Sequence, residues 1–219
     1  MLSPATIARY VTSRRTDQLL EAIIANGQYL PIVIKVWLSE VGHTPALALG
    51  LKRVVELSRR PTPACDMLTQ AMLDAQASDG SFDNDPLATA LAASAFFHLR
   101  HDRHVNDANV IDAHERALAW LARKQYLNGE GMFYDNIAMD LPRQALFAAY
   151  ILQLLARDPK ARQLLALDEL LHSLTQQHAV QGQSQARCHD HDQSLQHDTQ
   201  SFLRIARAGL PRTPAIVAA

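Results

Sequence analysis

Met67-Leu68-Thr69-Gln70-Ala71-Met72-Leu73-Asp74-Ala75-Gln76 leads through Ala77-Ser78-Asp79-Gly80-Ser81-Phe82 to Thr89-Ala90-Leu91-Ala92-Ala93-Ser94-Ala95-Phe96. Met67, Leu68, Ala71, Met72 and Ala75 recur at helical spacing with polar residues between them, the pattern of a helix buried on one side. Gly80 permits a tight turn at positive φ, and Phe82 can fill the space between two helices. From Leu87 to Leu99 the chain is apolar almost all round, so this second helix needs neighbours on every side. The first helix belongs to an outer layer and the second to an inner one.

The unit is repeated. Ala117 to Gln125 leads to Asn128-Gly129-Glu130-Gly131-Met132-Phe133 and then to Gln144-Ala145-Leu146-Phe147-Ala148-Ala149-Tyr150, and Gln76 to Gln125 is a step of 49 residues. A similar step lands beside Gln28 in one direction and near Gln176 and Gln177 in the other, giving four units. The outer two lack the glycine–aromatic turn and rest on spacing and on inner helices at Pro45 to Leu57 and about Ser194 to Ala208. Pro86 and Pro142 stand where inner helices begin, because a first-turn amide has no intrahelical acceptor to lose.

The rest of the composition agrees. At 219 residues the chain is long enough for one domain, 1–219, with a substantial core, and its apolar residues are mostly Ala and Leu, which favour helix. The fold class expected is all-α. A formal net charge of -1 argues against nucleic acid as a partner. The longest apolar run, Ala145 to Leu152, is far short of the roughly 18 residues a membrane span requires. Met1 to Arg15 does not read as a secretion signal, and with Cys65 and Cys188 as the only cysteines a reducing cytoplasm is the expected location.

An outer helix ending in Gln76, the turn Asp79-Gly80-Ser81-Phe82 and the inner Thr89-Ala90-Leu91-Ala92 resemble the repeats of the terpenoid cyclase and protein prenyltransferase α/α-toroid superfamily. The similar repeat of squalene-hopene cyclases is the QW motif. The resemblance is good over Ala64 to Leu99, fair over Ala113 to Ala156 and weak elsewhere. It implies an α/α toroid. Six helix pairs of about 48 residues need about 288, so this chain would form an incomplete barrel of four to five antiparallel pairs. An open arc leaves an apolar end to be covered, which implies a homodimer or a heteromeric partner.

In such a double layer the inner helices all start at one end. That rim collects His43 and Thr44; Asp83, Asp85 and Thr89; Asp140, Arg143 and Gln144; and His197, Asp198 and Thr199. Helix starts offer free amide donors to anionic groups, and His and Asp exchange protons near neutral pH. The expected catalytic residues are Asp85, Asp140, His197 and Asp198, with His43, Thr89, Arg143, Gln144 and Thr199 binding a small-molecule ligand. Asp, Thr and Ser before a helix are equally preferred caps.

The resemblance also implies what is missing. Class II cyclases protonate their substrate with the middle Asp of an Asp-x-Asp-Asp-Thr-Ala stretch. Aligning Thr89-Ala90 with its end leaves Asp85 at the first position but Leu87 and Ala88 at the next two, so the acid motif is not intact. Prenyltransferases hold zinc with Asp, Cys and His at comparable starts. Here the alternative zinc ligands would be Cys188 with His189 or His191, joined by His197 and Asp140; otherwise no cofactor is expected.

Ala179 to Gln196, rich in Gln, His, Ser and Asp, reads as a long polar loop over the rim. His98, His101 and His104, with Arg100 and Arg103, fall at the other end of an inner helix and complement its dipole.

Two functions follow. One is a small-molecule enzyme or ligand-binding toroid using His and Asp for acid–base or elimination chemistry, a lyase or transferase. The other is a non-catalytic scaffold or partner subunit. A carbohydrate-active α/α barrel fits the layering but asks for more aromatic platforms.

Overall fold

The computed structural model describes residues 2–25, 30–58, 62–103, 105–128, 132–134, 139–183 and 190–210. Every regular element among them is an α-helix: α1 (Pro4–Thr12), α2 (Thr16–Ala25), α3 (Ile32–Val41), α4 (Thr44–Leu57), α5 (Pro63–Ala75), α6 (Pro86–Arg103), α7 (Ala108–Asn128), α8 (Leu141–Leu155), α9 (Pro159–Leu164), α10 (Leu167–Gln183) and α11 (Asp190–Gly209). The chain is all-α, as its composition implies. No single helix is long and apolar enough to cross a membrane. The helices gather into two compact units, Met1–Asp135 and Asn136–Ala219.

In the first unit α4 and α6 pack side by side, with α5 against α4, α7 against α6, and α5 and α7 touching each other. The Thr44 amide at the start of α4 donates to the Asp83 carboxylate, 3.2 Å away, just ahead of α6. The two helices therefore start at the same end. α6 is buried without a break from Pro86 to Phe96, whereas α5 buries Ala64, Cys65, Leu68 and Met72 on one side. These are the apolar-all-round and one-sided helices of the sequence pattern. α1 and α2 pack on α4, and α1 also covers α5.

The turn between α5 and α6 is built as its residues require. Gly80 has φ +95°, and a Cβ there would lie 2.5 Å from the Arg116 carbonyl oxygen, so only glycine fits without displacement. The Gln76 amide donates to the carbonyls of Gly80 at 3.1 Å and Ala113 at 2.8 Å, and its oxygen accepts from Arg116 at 2.6 Å. Gln76 thus ties its own turn to α7. Phe82 is wholly buried and faces Phe96 at 6.1 Å between ring centres. Gln28 and Gly129-Glu130-Gly131 lie outside the described residues. Gln176 sits inside α10, which continues to Gln183, so it does not end an outer helix as the spacing led us to expect.

In the second unit α11 lies along α8. The Tyr150 and Phe202 rings are 4.9 Å apart, and a Cβ on Gly209 would be 3.3 Å from that of Ala156. Contacts advancing together along both helices make them parallel. α10 packs on both, and α9 is a short helix between α8 and α10. The polar loop expected over Ala179 to Gln196 is a correction, since 179–183 continue α10 and 190–196 open α11. The buried stripe Leu195, Thr199, Phe202, Leu203 and Ala206 supplies the anchoring face of α11.

Candidate functional site

The best-built polar cluster lies where α4 and α6 begin. Gly42, at φ +150°, separates α3 from α4, whose axes differ by 113°. A Cβ on Gly42 would lie 2.8 Å from the Asp83 carboxyl carbon, so that carboxylate occupies the room a side chain would take. Asp83 and Asn84 both adopt left-handed backbone, φ 51° and 50°, which their short polar side chains tolerate. His43 flanks α4 without capping it by its side chain.

Asp85, just ahead of Pro86, is the centre of the cluster. Its Oδ1 accepts from the Ala88 amide at 2.8 Å, as a helix cap does. Its Oδ2 accepts from the Trp37 indole at 3.0 Å and from the Tyr134 hydroxyl at 3.0 Å. Tyr134 in turn accepts from the Leu87 amide at 3.1 Å, and its ring meets Trp37 edge to face at 5.5 Å. Thr89 donates to the Asp85 carbonyl at 2.8 Å and accepts from the Phe82 amide at 3.0 Å. It latches the turn to the helix.

Burial pushes the Asp85 carboxyl above its ordinary range, against the pull of the Ala88 amide and of Trp37 and Tyr134. Burial first, and the neighbouring Asp85 charge second, push the Tyr134 phenol well above its ordinary value. Asp79 goes the other way, lowered chiefly by hydrogen bonds from the Ser81 hydroxyl and amide. It also accepts from the Trp120 indole at 3.1 Å. Both tryptophans of the chain therefore donate to an aspartate.

In the second unit Asp140 caps α8, accepting from the Arg143 amide at 3.0 Å and facing its guanidinium at 3.4 Å. Gln144 is buried and donates to the Met139 carbonyl at 2.6 Å. His197, Asp198 and Thr199 are not at a helix start, which corrects the sequence expectation. α11 begins at Asp190, so they lie about two turns inside it, where the amides are already bonded to the preceding turn. The His197 side chain is 84% exposed, 3.9 Å from the buried Asp198 carboxylate, and Thr199 donates to the Leu195 carbonyl at 2.7 Å. Counting back from the paired Ala156 and Gly209 puts Asp140 about 6 Å nearer than His197 to the N-terminal end of the α8–α11 pair.

The structure thus brings Thr44, Asp83, Asp85 and Thr89 together in one unit, and Asp140, Arg143 and Gln144 in the other. Cys188, His189 and the His191 side chain lie outside the described residues, and among those described no three His, Cys, Asp or Glu are placed to share a metal. At the far end of α6, His98 and His101 both contact Asp102, at 2.9 and 3.0 Å, and His104 is not described.

Sequence reasoning missed Trp37 and Tyr134. Tyr134 carried a signal, because Phe133-Tyr134 answers Phe82-Asp83 in the repeat. Trp37 comes from α3, in the stretch between Gln28 and Pro45 where the first unit lacks the glycine–aromatic turn.

Two cavities lie away from this cluster. One of about 210 Å³ is lined by Cys65, Asp66, Arg103 and Asp107 among others. The other, about 370 Å³, is a groove between α2 and α3. Comparison with protein-family models, curated proteins and solved structures finds no match to this chain.

Proposed function

We propose that this chain is a non-catalytic helical scaffold, an open arc of the α/α-toroid kind, that acts as a partner subunit. The observation that carries this reading is that both carboxylate oxygens of Asp85 are engaged within the fold. Its two oxygens accept three internal donors, and its neighbours Asp83 and Thr89 are engaged in holding α4 and α6. A carboxylate so occupied serves the fold, since each donor would have to be released before it could act on a substrate. The parallel inner pair α4 and α6, with α5 and α7 beside them, supports the toroid arrangement, as does the parallel pair α8 and α11. The absent cyclase acid supports loss of the chemistry.

Thermal melts in the presence of isoprenoid diphosphates and small apolar acids test the reading. A ligand at a hundred times its dissociation constant stabilises a protein by about 2.7 kcal/mol, easily seen as a rise in melting temperature. We expect no such rise. A rise in the wild type that Asp85→Asn or Asp140→Asn abolishes would overturn the proposal.

The enzyme reading keeps one favourable observation, the exposed His197 beside buried Asp198, with Asp140 at the same end of the unit. On that reading His197→Ala removes turnover and leaves helical content unchanged.

A further inference from the structure

We propose that the groove between α2 and α3 is a self-association surface, occupied by the same surface of a second copy of this chain. The inference names the partner for the scaffold reading and rests on it.

α3, Ile32–Val41, carries two apolar faces. Ile34 and Leu38 are buried, and Trp37 reaches Asp85. Nothing on that inward face explains Ile32 and Val36, one turn apart, which are 77% and 50% exposed. β-Branched apolar residues at that spacing form a ridge. Beside it runs a groove of about 370 Å³ walled by Leu20, Ile24 and Ala25 of α2 and by Val36 of α3. Ridge and groove are adjacent on one surface, the arrangement that a two-fold axis can interdigitate.

The charges choose the occupant. Asp17 and Glu21 stand on the α2 wall and Lys35 on the α3 wall. Among the described residues none of the three makes an ion pair. A two-fold related copy would set each Lys35 against the other's Glu21 and Asp17, pairing both sides at once while Ile32 and Val36 enter the opposite groove. The surface thus carries both halves of a two-fold contact, a ridge with a groove and charges of both signs.

The test is light scattering with a charge swap. The wild type is expected to be dimeric at micromolar concentration, and Ile32→Glu with Val36→Glu monomeric. Glu21→Lys and Lys35→Glu each place two like-charged pairs in a homodimer and should raise its dissociation constant about tenfold. Mixing these two variants restores both pairs and should restore the dimer, which no effect within one chain can do. Helical circular dichroism checks that every variant is folded. A monomeric wild type, a dimer indifferent to the ridge, or a monomer that sediments with neutral phosphatidylcholine vesicles would each overturn the inference. None of these outcomes involves small-molecule binding, so they are distinct from failure of the scaffold reading.

Discussion

The Tyr134 hydroxyl donates to Asp85 Oδ2 across 3.0 Å and at the same time accepts from the Leu87 amide, so one phenol satisfies a buried carboxylate and a first-turn donor of α6. Tyr134→Phe removes both partnerships and leaves Leu87 N–H without an acceptor. Stability should fall by about 1–3 kcal/mol, measured by urea denaturation with an unchanged slope.

Asp85→Asn sets two effects against each other. It relieves a buried charge, but its amide nitrogen must face either the Ala88 amide or the Trp37 indole, both donors. Unpaired buried donors cost more than the relief returns, and a loss of about 1–2 kcal/mol is expected near neutral pH.

The two tryptophan-linked aspartates should depend on pH with opposite sign. Asp85 is raised from 3.8, so its titration stabilises the fold fully below that value and ceases to do so as pH rises through its folded pKa. Relative to Asp85→Asn the wild type should therefore lose stability as pH rises above 3.8. Asp79 is lowered from 3.8, and its contribution is present above that value and lost as pH falls through the folded pKa. Relative to Asp79→Asn the wild type should lose stability on acidification below 3.8. Melts of each pair across pH check both directions.

Gly80→Ala should destabilise by more than about 1 kcal/mol, because it combines a positive φ with a Cβ driven against the Arg116 carbonyl. Gly50→Ala is the control. It lies inside α4 with only ordinary to tight contacts, the nearest at 3.4 Å, and a normal helical conformation, and should change stability by less. Equal losses at the two positions would count against the turn as the strained element.

The unit from Met67 to Phe96 was legible because each signal in it has a local cause. One-sided spacing gave α5, uniform apolarity gave α6, and Gly80 gave the turn. The inner helices at Pro45 and Leu87 begin within a residue of where the sequence placed them. What was not legible depends on tertiary context. Trp37 meets Asp85 across 48 positions, and no periodicity announces such a pair. The start of α11 was hidden because its first turns are polar and carry no apolar stripe until Leu195. For the candidate site, the rim residues were chosen as helix-start groups, and Asp85 and Asp140 do occupy such positions. His197 does not, because four more residues of helix precede the expected start at Ser194.

Asp85 acts as an internally bonded structural acceptor, and the most direct measurement of that role is amide-type exchange of the two indole N–H groups by nitrogen-15 NMR. Trp37 and Trp120 give two signals. The Trp37 signal should exchange slowly, move as Asp85 titrates above 3.8, and lose its protection in Asp85→Asn. A Trp37 indole that exchanges at solvent rates, or that is indifferent to Asp85→Asn, would contradict the account.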